Sequence, residues 1–174
     1  MIPVPTKRIA LSFIGAGLAG VSVYALVIRP WLLRWGATAA ERSKSLPGDL
    51  LVPQANSSAT RAITIDAPPE RVWPWIVQIG QGRGGFYSYT WLENLVGCEI
   101  VNAGTIHAEW QDLKPGDSLR LHPKMPGLPV AILEKNRALV LLCNKYLLEP
   151  IHFIMERKMM FGIRTRAESG GVIE

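Results

Sequence analysis

The sequence predicts an α+β chain, with a run of antiparallel strands closed by one long C-terminal helix and an apolar segment ahead of both. Three observations carry this. Leu128–Glu134 and Ala138–Cys143 are β-prone runs separated only by Lys135-Asn136-Arg137, which reads as a hairpin. From Glu149 the period changes to helical, with Ile151, Met155, Met159 and Gly162 along one stripe. Residues 9–28 carry no charge at all. Strands followed by a covering helix make an α+β domain.

Composition narrows the function classes. The chain has 174 residues, 48% apolar and 19% charged, which is too apolar for disorder and too poor in charge for a coiled coil. Cys98 and Cys143 cannot make a disulfide scaffold, and no CxxC pair is present for a structural zinc. The net charge is +5, and residues 1–46 hold all of that excess; residues 47–174 are neutral. No basic face therefore supplies the phosphate attraction that nucleic-acid binding needs, and no nucleic acid is expected as a partner.

The N-terminal arm spans 1–46. Its segment at about 9–28 has the 20 residues needed to cross a hydrocarbon core of roughly 30 Å. Lys7, Arg8 and Arg29 bound it, and Trp31 and Trp35 follow where an interfacial aromatic belt would lie. A single transmembrane helix is the leading expectation. A cleaved signal peptide competes, with Ala37-Thr38-Ala39 as its cleavage site. So does a dinucleotide fingerprint, since Gly15 to Gly20 match GxGxxG, although Arg29-Pro30 interrupts the helix it would open. A buried helix of a larger soluble fold is the third competitor. Ser12, Ala16 and Gly20 recur every four residues and suit a helix–helix self-association. Counting Lys and Arg on either side leans toward a cytoplasmic C-terminal domain.

Residues 47–60 are rich in Pro, Gly, Ser and Asn and read as a linker. A domain is expected over 61–174. Ala62–Asp66 alternates and reads as a strand. Ala67-Pro68-Pro69-Glu70 breaks it and opens a helix over Glu70–Ile79, with Val72, Trp73, Ile76 and Ile79 on one face. Gly80, Gly82 and Gly85 fall in a loop, not a phosphate cradle, because a helix precedes them. Phe86–Val96 reads as a second short helix, with Trp91, Leu92 and Leu95 inward and Glu93 and Asn94 wet. Thr105–Trp110 and Ser118–His122 read as further strands, separated by a turn at Lys114–Asp117. Pro150 starts the last helix and Ser169-Gly170-Gly171 ends it.

The stretch from Thr60 to Gly97, TRAITIDAPPERVWPWIVQIGQGRGGFYSYTWLENLVG, resembles the SRPBCC superfamily of START/Bet v 1-like helix-grip proteins. More narrowly it resembles the membrane-anchored bacterial members called polyketide cyclase/dehydrase-like. Trp35–Thr38, Leu46–Asp49, Asn102, Trp110–Leu113 and Phe153–Ala167 extend the likeness over most of 31–168. The resemblance implies a curved antiparallel sheet gripping the long C-terminal helix, an apolar cavity between them, and a place in the bacterial plasma membrane. It implies a hydrophobic, lipid-like or polyketide-like ligand and no one activity. Five candidate strands are visible where a helix-grip sheet has six or seven, so the domain is expected to be incomplete, with an open sheet edge available for self-association.

The sequence holds no catalytic constellation, no metal-ligand spacing among His107, His122 and His152, and no GxSxG elbow around Ser88. No cofactor is expected. Arg83, Tyr87 and Tyr89 follow the glycine loop and are the polar candidates for a pocket mouth. Met155 and Met159 are the candidates for an adaptable apolar lining. The expectation is a membrane-anchored binding module. A cyclase/dehydratase-like enzyme using Tyr87, Glu109 or His122 is one alternative. A degenerate, interaction-only domain is the other.

Overall fold

The computed structural model of the chain describes residues 17, 19–55, 57–143 and 149–170. It divides into two compact units. One contains the described residues up to Lys44 and the segment 57–62; the other contains Ser45–Ala55 and the chain from Ile63 onward.

In the first unit, residues 19–23 are helical and pass through a π-helical turn, Tyr24–Ile28, into α1 (Arg29–Arg34). The end of α1 is closed by a returning segment, not by its own cap. Leu33 O accepts from the Thr60 N–H at 2.9 Å, and Leu32 O accepts from Arg61 Nε at 2.7 Å. These carbonyls would otherwise lack partners. Thr38 then opens α2 (Ala39–Ser43) with a capping box. Its hydroxyl accepts from the Glu41 N–H, and the Glu41 carboxylate takes the Thr38 N–H at 2.7 Å. Residues 9–16 and 18 of the expected membrane span lie outside the described residues, as do Gly15, Ala16 and Leu18 of the glycine fingerprint. Among the described residues no helix is long and apolar enough to cross a membrane.

The second unit is α+β. Its sheet has three antiparallel strands in the order β1 (Ser118–Leu119), β2 (Leu128–Glu134), β3 (Ala138–Leu141). Glu134 faces Ala138 across the hairpin, where Asn136 takes a left-handed φ of 60°. A bulge between Val130 and Ile132 shifts the register before Val130 meets Leu141. The helices are α3 (Pro69–Val77), α4 (Thr90–Leu95) and α5 (Glu149–Glu168).

Two of the five expected strands do not form in the described sheet. The Asp66 N–H donates to Glu168 Oε1 at 2.8 Å, and the His107 N–H donates to Gln78 Oε1 at 3.2 Å. Side chains from distant positions thus take donors that a ladder would have used. Ala108–Trp110 instead closes into a 3-10 turn.

The layering also differs from the expectation that α5 covers the sheet. Helix α3 is apolar on two sides. Trp73 and Val77 pack with Leu113, Leu119 and Val130 in the sheet's cluster. Trp75, with Val72, Ile76 and Ile79 at its edge, packs with Tyr87, Ile106, Ile163 and Ala167 in the cluster that holds α5. Successive helical residues turn by about 100°, so positions 73 and 77 form one stripe and 72, 75, 76 and 79 form another. The single apolar face read from the sequence splits into these two.

Candidate functional site

The glycine loop after α3 is organised by one buried amide. Gln78 is fully buried at the end of α3. Its Nε2 donates to Tyr87 Oη at 2.9 Å and to Thr105 O at 3.0 Å. Its Oε1 accepts from the His107 N–H at 3.2 Å and from Gln111 Nε2 at 3.3 Å. All four hydrogen-bonding positions of the amide are used, which makes its burial affordable.

Tyr87 lies in the same knot, buried in the core and not at an exposed pocket mouth. Its ring meets Trp75 edge-on at 5.8 Å between centroids, and the Arg166 guanidinium sits 4.6 Å from its centroid. Burial pushes its phenol up to about 12. Its φ of 54° is left-handed, and Asn102 holds it there. Asn102 Oδ1 accepts from the Phe86 N–H at 3.0 Å and from the Tyr87 N–H at 2.6 Å. The tight turn brings residues 87–89 across α5. Ser88 Oγ donates to Met155 O at 2.9 Å, and Gly162 abuts the Tyr87 backbone where a Cβ would collide.

Arg83 is turned elsewhere. It donates to Trp110 O at 2.6 Å and to Val77 O at 3.2 Å, so it braces two carbonyls of the fold. Burial lowers its pKa, with Asp117 opposing that shift. Tyr89 is half-exposed, and Lys158 Nζ of α5 lies 5.7 Å from its ring centroid. Met155 is half-buried, and Met159 packs at the edge of the cluster that contains Tyr87. Of the five expected site residues, four thus gather along α5 and Arg83 stands apart.

In helix α4 Trp91, Glu93 and Leu95 face opposite to the sequence reading, while Asn94 is exposed and Leu92 half-buried. Glu93 is 1% exposed, while Trp91 is 67% and Leu95 75% exposed. The cause is polar. Thr90 Oγ1 accepts from Asn102 Nδ2 at 3.0 Å, and Asn94 Oδ1 accepts from the Ile100 N–H at 2.6 Å. Positions 90 and 94 share a face with 93, so these anchors draw Glu93 inward and turn 91 and 95 outward. Both Glu93 carboxylate oxygens are buried without a hydrogen-bond partner among the described residues. Burial raises its pKa, and that of the Cys98 thiol beside it is raised by burial and by Glu93. Tyr89, 6.5 Å from Trp91 between ring centroids, joins this outward face to Lys158. Ile154, one turn ahead of Lys158 on α5, and Ile151 before it are also exposed.

The acid/base candidates do not converge. Glu109 pairs with His107 at 3.4 Å, whereas His122 Nε2 is held 3.0 Å from Val96 O. No group of three or more metal-ligating side chains occurs among the described residues.

No family model, no curated protein and no solved structure matches the chain.

Gln78, Asn102, Arg166 and Glu93 are not among the site candidates of the sequence; Asn102 enters there only through the family resemblance, and Glu93 only as a solvent-facing position. At about 100° per residue Gln78 falls outside both apolar stripes of α3, so helical periodicity does not mark it. Beyond the resemblance Asn102 carries no local signal, because its hydrogen-bond partners lie 12 to 16 residues away.

Proposed function

We propose that this chain is a membrane-associated binding module for an apolar, lipid-like or polyketide-like molecule, held at a bacterial plasma membrane by its N-terminal apolar segment with the C-terminal unit on the cytoplasmic side. The observation that carries the reading is the outward turn of α4. Trp91 and Leu95 are presented to solvent and Tyr89 extends them toward Lys158. An aromatic and aliphatic face next to a cation matches a molecule with an apolar body and a polar end. The resemblance to helix-grip proteins supports the same ligand class. The separation of Glu109 from His122, together with the enclosed Tyr87 hydroxyl, favours binding over acid/base turnover. The ligand is read onto the outer face of α4 and the start of α5, since Tyr87 and Met159 are engaged in packing.

An uncharged diacylglycerol tests this. It has the apolar chains of a lipid and no phosphate. Native mass spectrometry of the delipidated full-length chain in detergent should show a retained diacylglycerol, and Trp91→Ser with Leu95→Ser should abolish it. No retention by the wild type, or retention untouched by the double substitution, overturns the reading.

A further inference from the structure

The first unit holds an open cleft of about 310 Å³, lined by Pro30, Leu33, Arg34, Arg42, Ser58 and Thr60. Three segments wall it: α1, α2 and the returning stretch 57–60. Its polar lining side chains, two guanidiniums and two hydroxyls, can all donate, and among the described residues no carboxylate lines it.

The guanidiniums are held by one nitrogen each. Arg34 Nε donates to Pro30 O at 2.8 Å, and Arg42 Nε donates to Thr38 O at 3.3 Å. Each bond fixes the side chain against its own helix and leaves the Nη pair without a protein acceptor among the described residues. The nearest acid in sequence, Glu41, is committed elsewhere. Its carboxylate takes the Thr38 N–H and hydroxyl, both at 2.7 Å, and these bonds hold its pKa below the usual range. The capping box of α2 thus holds the ionised Glu41 carboxylate at Thr38. The Thr60 N–H is spent on Leu33 O, which fixes the returning segment against α1. Forked donors held this way suit bidentate recognition of a tetrahedral oxyanion.

We propose that this cleft binds a phosphate group, with Arg34 and Arg42 as the forked donors and Ser58 and Thr60 as supporting hydroxyls. The source of the phosphate rests on the membrane reading above. Arg34 lies six residues beyond Ile28, the end of the uncharged segment, about 9 Å at helical rise. The headgroup layer extends roughly 5–8 Å beyond the hydrocarbon on each side, so Arg34 lies just past its outer margin, within the reach of an arginine side chain to a lipid phosphate. A free phosphate would use the same donors.

Two probes separate these sources on the full-length chain in detergent: dihexanoyl phosphatidic acid and inorganic phosphate, each titrated by calorimetry. The expected result is saturable binding of at least one, weakened about tenfold by Arg34→Gln and further by adding Arg42→Gln. Arg34→Lys and Arg42→Lys keep the charge but lose the fork, and should also weaken binding. Binding of the lipid alone assigns a headgroup site, and binding of inorganic phosphate alone assigns a free-phosphate site. Ser58→Ala with Thr60→Ala leaves the helices untouched and should cost severalfold in affinity. No binding of either probe, or affinities that ignore all of these substitutions, overturns the proposal. Diacylglycerol retention at Trp91 and Leu95 is read separately, so either result can fail without the other.

Discussion

Asn102 Oδ1 accepts the Tyr87 N–H at 2.6 Å and thereby holds a bulky residue at a φ of 54°. Left-handed backbone at a non-glycine residue costs of order 1–3 kcal/mol and persists only where its surroundings impose it. The same amide also takes the Phe86 N–H and donates to Thr90 Oγ1. Asn102→Ala would strand two N–H groups and release the turn. A loss of about 2–3 kcal/mol is expected in urea denaturation. Asn102→Asp keeps the acceptor and should recover part of that loss.

Glu93 makes stability depend on pH. Its folded pKa is raised above the ordinary 4.5, so the unfolded chain releases this proton first as pH rises. Its favourable contribution is complete below about 4.5 and is lost as pH rises through the elevated folded value. Glu93→Gln behaves as the permanently neutral acid. The denaturation midpoint near pH 7 should rise, and the loss of stability with rising pH above about 4.5 should flatten. An unchanged slope would place the carboxyl in water.

Tyr87 should be visible in a spectrophotometric titration. The chain has four tyrosines, and this phenol is pushed up to about 12 by burial. A late-ionising step is expected, and Tyr87→Phe should remove it. The sign follows from the raised value. The folded state favours the neutral phenol, so this contribution holds below about 10 and is lost as pH climbs toward about 12.

Two tryptophans test the orientation of α4 against that of α3. Trp91 is 67% exposed and Trp75 is 1% exposed. Trp91→Ala should change stability by less than about 0.5 kcal/mol. Trp75→Ala should cost about 3–5 kcal/mol. Equal costs in thermal denaturation would return α4 to the orientation read from its apolar residues.

Local pattern made the β2–β3 hairpin and α5 legible. Leu128–Glu134 is the strand expected from its residues, and α5 begins at the expected Glu149. The same reading failed wherever a distant side chain decided the outcome. Trp91 and Leu95 satisfy an inward helical stripe, but Asn102 and Ile100 anchor the other face. Asp66 and His107 lie in β-prone runs, but Glu168 and Gln78 take their N–H groups. In the candidate site, the apolar face was visible as residues and hidden as a surface. The phosphate cleft was hidden because its arginines and hydroxyls meet only when 57–60 returns to α1.

The two-sided burial of α3 has a consequence for the nascent chain. One side of the helix finds its partners once β2 and β3 have been made. The other side needs Ile163 and Ala167, which come about 90 residues after Val77. At roughly 5–20 residues per second, Trp75 and its neighbours wait on the order of 5–20 s at the ribosome with half their core still unsynthesised. The interval is long enough for a chaperone to find that stripe first.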